Sequence, residues 1–147
     1  MSAELSPPEL RFTLLTTEHA LKEWSVLSGI LEPALDHGMV SSRTSIDHIR
    51  EGIEQDYLQT FVIWDSAASQ VLACLVARVD VHPTGVKVLS FPAMGGQDLA
   101  TWINIAWDGI RQFAKGQECH QIEFRGRPGW SKILSAEPVS VNYIEVL

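Results

Sequence analysis

The chain is poor in the residues that build metal and disulfide sites. Its 147 residues include 2 cysteines, Cys74 in the apolar run Val71-Leu72-Ala73-Cys74-Leu75-Val76 and Cys119 beside His120. No CxxC pair exists to open a zinc motif, and the 5 histidines are scattered singly, so no metal is expected. Cys74 is expected to pack as a small hydrophobe, and both thiols to be free. Basic residues are scarce too: 11 Lys and Arg against 18 Asp and Glu give a net charge of -7 and a pI near 5.1. Affinity for a phosphate backbone draws on clustered Lys and Arg, so nucleic acid is not an expected partner. No apolar run approaches the length of a bilayer span, which predicts no membrane association. Met1 to Pro8 also lacks the basic-then-apolar order of a signal peptide, so the expected site of synthesis is the cytoplasm. Internal repeats, linkers and low-complexity segments are missing as well, which excludes solenoids and bead-on-string architectures.

What remains is ordinary globular usage, 46% hydrophobic and 20% charged. A chain of this length can bury roughly 70% of its unfolded surface in one core. The expected organisation is a flexible N-terminal arm, residues 1–10 with Pro7-Pro8, and a single domain over residues 11–147. Arg11 to Thr17 alternates and predicts a strand. Glu18 to His37 places Leu21, Trp24, Leu27, Leu31 and Leu35 at helical spacing, with Gly38 closing the helix. A second helix is expected from Thr44, whose spacing to Asp47 resembles a capping box, with Ile46, Ile49 and Ile53 on one stripe.

Three strands follow, Thr60 to Asp65, Val71 to His82 and Val86 to Phe91, joined by short turn compositions, which predicts an antiparallel meander with the apolar middle strand at its centre. Asp98 to Lys115 carries Leu99, Trp102, Ile103, Ala106, Ile110, Phe113 and Ala114 on one helix face, and Gly116 ends it. Trp102 and Ile103 are therefore expected in the core. Gln121 to Phe124 is the next strand, Pro128 fits the first turn of a short helix through Ser135, and Asn142 to Leu147 is a last strand. The order is β-α-α-β-β-β-α-β-α-β, an α/β domain with a mixed sheet. A strand, helix and strand in succession form a right-handed crossover, so the Val86 to Phe91 and Gln121 to Phe124 strands should be parallel neighbours that splay at their C-terminal ends.

This order resembles the GNAT N-acetyltransferase fold over nearly the whole chain. The run from Gly95-Gly96 through Asp98-Leu99-Ala100-Thr101-Trp102, with Phe124-Arg125-Gly126-Arg127-Pro128-Gly129-Trp130, looks like a group of GNAT-like proteins encoded by tailed bacteriophages and prophages. In active members of the superfamily, a turn of Arg or Gln, two residues, Gly, one residue, and Gly or Ala holds the acetyl-CoA pyrophosphate on backbone N–H groups at a helix start. The equivalent cofactor-binding stretch here is Met94, Gly95, Gly96 and Gln97. It departs from the pattern in both registers: with Gly95 first, Pro92 and Gln97 stand at the other signature positions, and with Gly96 first, Ala93 and Asp98 do. Asp98 is expected to cap the helix N–H groups and to repel an anion.

The superfamily commonly takes a Glu on a central strand as base and a Tyr on the late short helix as acid. The Val86 to Phe91 strand has no carboxylate and the short helix no Tyr, so no catalytic residue is assigned, with Asp80, Glu123 and Tyr143 as possible substitutes. Arg125, Arg127 and Lys132 surround Trp130 in an acidic chain. They read either as a solvated edge of the core or as a docking patch of Arg125, Arg127 and Trp130.

The resemblance thus implies two functions. One is a phage accessory protein, without turnover or cofactor, that binds other phage structural proteins in the host cytoplasm or in the virion. The other is an acyl-CoA-dependent N-acyltransferase acting on a small-molecule or protein amine, with acetyl-CoA as cofactor.

Overall fold

A computed structural model describes residues 8–35, 44–125, 134, 145 and 147. Its strands are β1 (Leu10–Leu15), β2 (Gln59–Asp65), β3 (Gln70–Val81), β4 (Lys87–Gly96) and β5 (Gln121–Glu123), in one sheet of order β1-β2-β3-β4-β5. The first four are antiparallel neighbours, and β5 runs parallel to β4. The helices are α1 (Thr17–Lys22), α2 (Trp24–Leu35), α3 (Ile46–Glu54) and α4 (Leu99–Gly116). This mixed α/β arrangement carries the expected meander and the expected parallel pair.

Each face of the sheet buries a helix layer because β3 is apolar on both sides. Ala73, Leu75 and Ala77 meet the α4 stripe of Trp102, Ile103, Ala106, Trp107 and Ile110. Cys74 and Val76 point the other way, toward Ala20, Leu27, Leu31, Ile49 and Ile53 of α1 to α3. Burial of the alternate residues on opposite faces follows from the two-residue strand period. Trp102 and Ile103 are 3% and 2% exposed, as their place on the stripe predicts. Cys74 is fully buried, and both cysteines are free thiols.

Several boundaries differ from the expectation. The helix expected from Glu18 to His37 begins at Thr17 and is broken at Glu23, whose N–H bonds back to His19 while its carbonyl starts α2 by accepting from Val26 and Leu27. The third helix is capped by Ser45 rather than Thr44, with Ser45 Oγ accepting from the His48 N–H at 3.3 Å. The chain is already ordered at Glu9, which accepts from the Ser66 N–H and donates to Asp65 Oδ1, so the folded part reaches back into the stretch expected as an arm.

The largest difference is β4, which does not stop at Phe91 but continues to Gly96. Val76 pairs with Ala93 and Arg78 with Ser90, so Phe91 and Pro92 together oppose Ala77 in a bulge. Proline has no N–H to give a ladder, and the bulge is where none is required. Gly95 and Gly96 are therefore paired strand residues, opposite Cys74 and Ala73, rather than a turn. The short helix expected from Pro128 and the last strand lie outside the described residues, except that Leu134 is buried in the α4-side core.

Candidate functional site

The pairing of β4 with β5 is short. Val88, Leu89 and Ser90 face Gln121, Ile122 and Glu123, and the ladder ends there, while β4 runs on through its bulge. Reciprocal bonds start the pair, His120 N to Lys87 O at 2.8 Å and Lys87 N to His120 Nδ1 at 3.0 Å. The last rung is also where β5 ends, at Glu123. On the α4 side the Trp107 ring meets Phe91 of β4 at 5.7 Å and Phe124 past β5 at 4.9 Å between centroids.

At the far end of β4 lie the residues expected to hold a cofactor. Met94 is half-buried against the α4-side core, Gly95 is buried, and Gly96 and Gln97 are exposed. The glycines have packing roles. A Cβ on Gly95 would collide with the backbone carbonyl of Ile30 in α2, and one on Gly96 would come within 2.7 Å of Ala73 Cβ and 2.8 Å of Leu72 O, at a φ of +153°. The Gln97 carbonyl accepts from Trp102 Nε1 at 2.8 Å, which ties the link before α4 to the helix core.

Asp98 occupies the first helix boundary but does not cap it. Its backbone is left-handed, φ 56° and ψ 52°, in place of the extended conformation usual for a capping residue, and its side chain makes no cap hydrogen bond. The expected cap is thus corrected. The Thr101 N–H bonds to the Asp98 carbonyl at 2.9 Å, leaving the N–H groups of Leu99 and Ala100 without a side-chain cap at the positive end of an 18-residue helix. These donors fit the pyrophosphate of an acyl-CoA, with the nearby Asp98 charge opposing it.

The face of the sheet opposite α4 carries a polar row, of which sequence reading named Glu123 and its neighbour Asp80 but missed Arg78 and Ser90. Arg78, Ser90 and Glu123 are register partners across β3, β4 and β5, at the last rung of the β4–β5 ladder. Asp80 Oδ2 accepts from Arg78 Nε at 3.1 Å and from Ser90 Oγ at 3.0 Å, so the candidate base Asp80 serves to orient the arginine. Glu123 is exposed. Alongside lies an open pocket of about 130 Å³ lined by Thr44, His48, Tyr57, Arg78 and Pro92, among others. The available signal was the switch from apolar to polar at alternate positions late in β3, at Arg78 and Asp80. Arg125 is exposed just past β5. Arg127, Trp130, Lys132 and Tyr143 lie outside the described residues.

No protein-family model matches the chain, and a search of curated proteins finds no relative. Solved structures do match. An aminoglycoside acetyltransferase from an uncultured soil metagenomic sample superposes with a TM-score of 0.65 at 11% identity, covering 95% of this chain and 99% of that one. The aminoglycoside 6'-N-acetyltransferase AAC(6')-Ih of Acinetobacter baumannii gives 0.62 at 16%, covering 95% and 99%. The glucosamine-6-phosphate N-acetyltransferase of Arabidopsis thaliana gives 0.63 at 10%, covering 94% and 98%. With its mixed sheet, parallel β4–β5 pair and helix layers on both faces, the chain has the GNAT N-acetyltransferase fold.

Proposed function

We propose that this protein is an acyl-CoA-dependent N-acyltransferase. The observation that carries the reading is the end of the β4–β5 ladder at Ser90 on a strand that runs on to Gly96 and leads to a helix start with no side-chain cap. The backbone from Met94 to Gln97 and the N–H groups of Leu99 and Ala100 hold the pyrophosphate, and the end of the ladder beside Phe91 takes the acyl arm. A bound acyl-CoA supplies an activated acyl group as a thioester. Glu123, the carboxylate on the last shared rung, accepts a proton from the incoming ammonium so that the amine can attack. That structures of the same fold are acetyltransferases supports this reading over a purely structural role.

The test is incubation of the full chain with acetyl-CoA and a panel of small amines and peptide N-termini, following thiol release. Turnover that is lost in Glu123→Gln supports the reading. Absence of turnover together with absence of amide shifts at Gly96 to Thr101 on adding acetyl-CoA would reject it.

A second reading is favoured by the glycines being committed to packing and by the Asp98 charge at the helix start. In it the chain is a GNAT-fold phage accessory protein that binds other phage structural proteins through Arg125, Arg127 and Trp130, without turnover, in the host cytoplasm or the virion.

A further inference from the structure

The pocket beside Arg78 sets the polar side chains of Thr44, His48, Tyr57 and Arg78 around an apolar lining of Ile49, Leu58 and Pro92. Among the described residues that line it there is no carboxylate, although the chain as a whole carries a net charge of -7. Arg78 is held by Asp80 through Nε, which leaves the two terminal nitrogens of its guanidinium as further donors. Asp80 itself is occupied by Arg78 and Ser90. The His48 ring is set by Ser45. The Ser45 hydroxyl accepts from the His48 backbone N–H at 3.3 Å and lies 2.8 Å from His48 Nδ1. A hydroxyl has one proton and two lone pairs, so this contact runs in either direction according to the imidazole tautomer, and in both cases it fixes the ring plane. Thr44 and Tyr57 also line the pocket, and each carries a hydroxyl that can donate to an oxygen acceptor.

Size and position narrow the ligand. About 130 Å³ is well under the roughly 300 to 1,000 Å³ of pockets that enclose a drug-sized molecule, so this one takes a head group of a few atoms. Pro92 lines the pocket and also lies in the bulge where β4 has left β5. Arg78 and Glu123 stand two strands apart in one register row, roughly 10 Å by the usual strand spacing.

We infer that the pocket formed by Arg78, His48, Thr44 and Tyr57 binds the anionic end, carboxylate or phosphate, of a small amine acceptor. The acceptor is then an amino acid or an amino-phosphate ester whose amine reaches the end of the β4–β5 ladder. This deepens the acyltransferase reading and rests on it for the amine, but the anion site stands on its own geometry.

The experiment has two arms. In the first, inorganic phosphate is titrated into the full chain without acyl-CoA while side-chain and amide resonances are followed. Saturable shifts at Arg78 Nε, the His48 ring and Gly52, lost in Arg78→Gln, are expected. No shift there, or shifts confined to Leu99 to Thr101, would overturn the inference whatever acetyl-CoA does. In the second arm, acetyl transfer is compared for phosphoethanolamine against ethanolamine and for β-alanine against propylamine. The anionic member of each pair should be preferred. Arg78→Gln should raise its KM roughly tenfold or more, the loss of one charge-assisted contact, with the neutral amine little changed. Equal use of both members would overturn the inference. If acetyl-CoA is neither bound nor turned over, the acyltransferase reading fails alone, and the phosphate arm still decides this one.

Discussion

Replacing Gly95 by Ala separates a glycine needed for packing from one needed only for a phosphate. The added Cβ would press on the Ile30 carbonyl oxygen and lie 3.1 Å from its carbonyl carbon, inside the van der Waals limit. The obstacle is helix backbone, which cannot rotate aside as a side chain would. Relief requires α2 to move off β4 and to loosen Leu27 and Leu31, both fully buried. Overpacking of this kind costs about 1 to 3 kcal/mol, which for a domain of this size lowers Tm by roughly 3 to 9 °C. The neighbouring Gly29 is the control. It lies inside α2 with nothing within 4 Å of a built Cβ, so Gly29→Ala should stabilise by about 0.5 to 1 kcal/mol through helix propensity. Urea titrations of the two variants measure both. A Gly95→Ala midpoint equal to or above that of the parent would refute the close approach of α2 to β4.

Other expectations follow from the same geometry. Asp98→Gly removes a negative charge from the α4 start and suits the left-handed backbone there, so acetyl-CoA affinity measured by calorimetry should rise severalfold without loss of stability. Trp102→Ala should cost about 3 to 5 kcal/mol in denaturant titration, and Trp102→Phe, which keeps most of the bulk but loses the bond to the Gln97 carbonyl, about 1 to 2. Burial pushes the Cys74 thiol from an ordinary 9.0 up to about 12. Its folded pKa is raised, so its contribution is intact below 9.0 and is lost as pH rises toward 12. Relative to Cys74→Ala, the parent should lose up to about 1.4 kcal/mol per pH unit across that window, and its Cys74 should resist thiol reagents in the folded state.

The parts of the fold legible in the sequence are those set by local periodicity. The α4 stripe, the doubly apolar β3 and the glycine-bounded crossover each leave a repeating signature within one segment, and the parallel β4–β5 pair follows from crossover handedness. The extension of β4 was not legible, because Pro92 and the glycine pair read locally as a strand end. Only pairing with β3 shows that the proline falls in a bulge and that the glycines make room for α2 and β3. Asp98 has the right chemistry for a cap, yet its left-handed backbone denies it the geometry. The donor pocket joins positions 44, 48, 57, 78 and 92, which no spacing in the chain connects.

On the acyltransferase reading, the end of β4 beyond Ser90 and the α4 start receive an acyl-CoA. Calorimetric titration of acetyl-CoA into the unmodified full chain tests it most directly, with amide exchange at Phe91 and over Gly96 to Thr101 recorded in the same conditions. Saturable one-to-one binding, weakened by added pyrophosphate, with new protection in those two stretches, is the expected result. No heat and no protection at millimolar acetyl-CoA would contradict it.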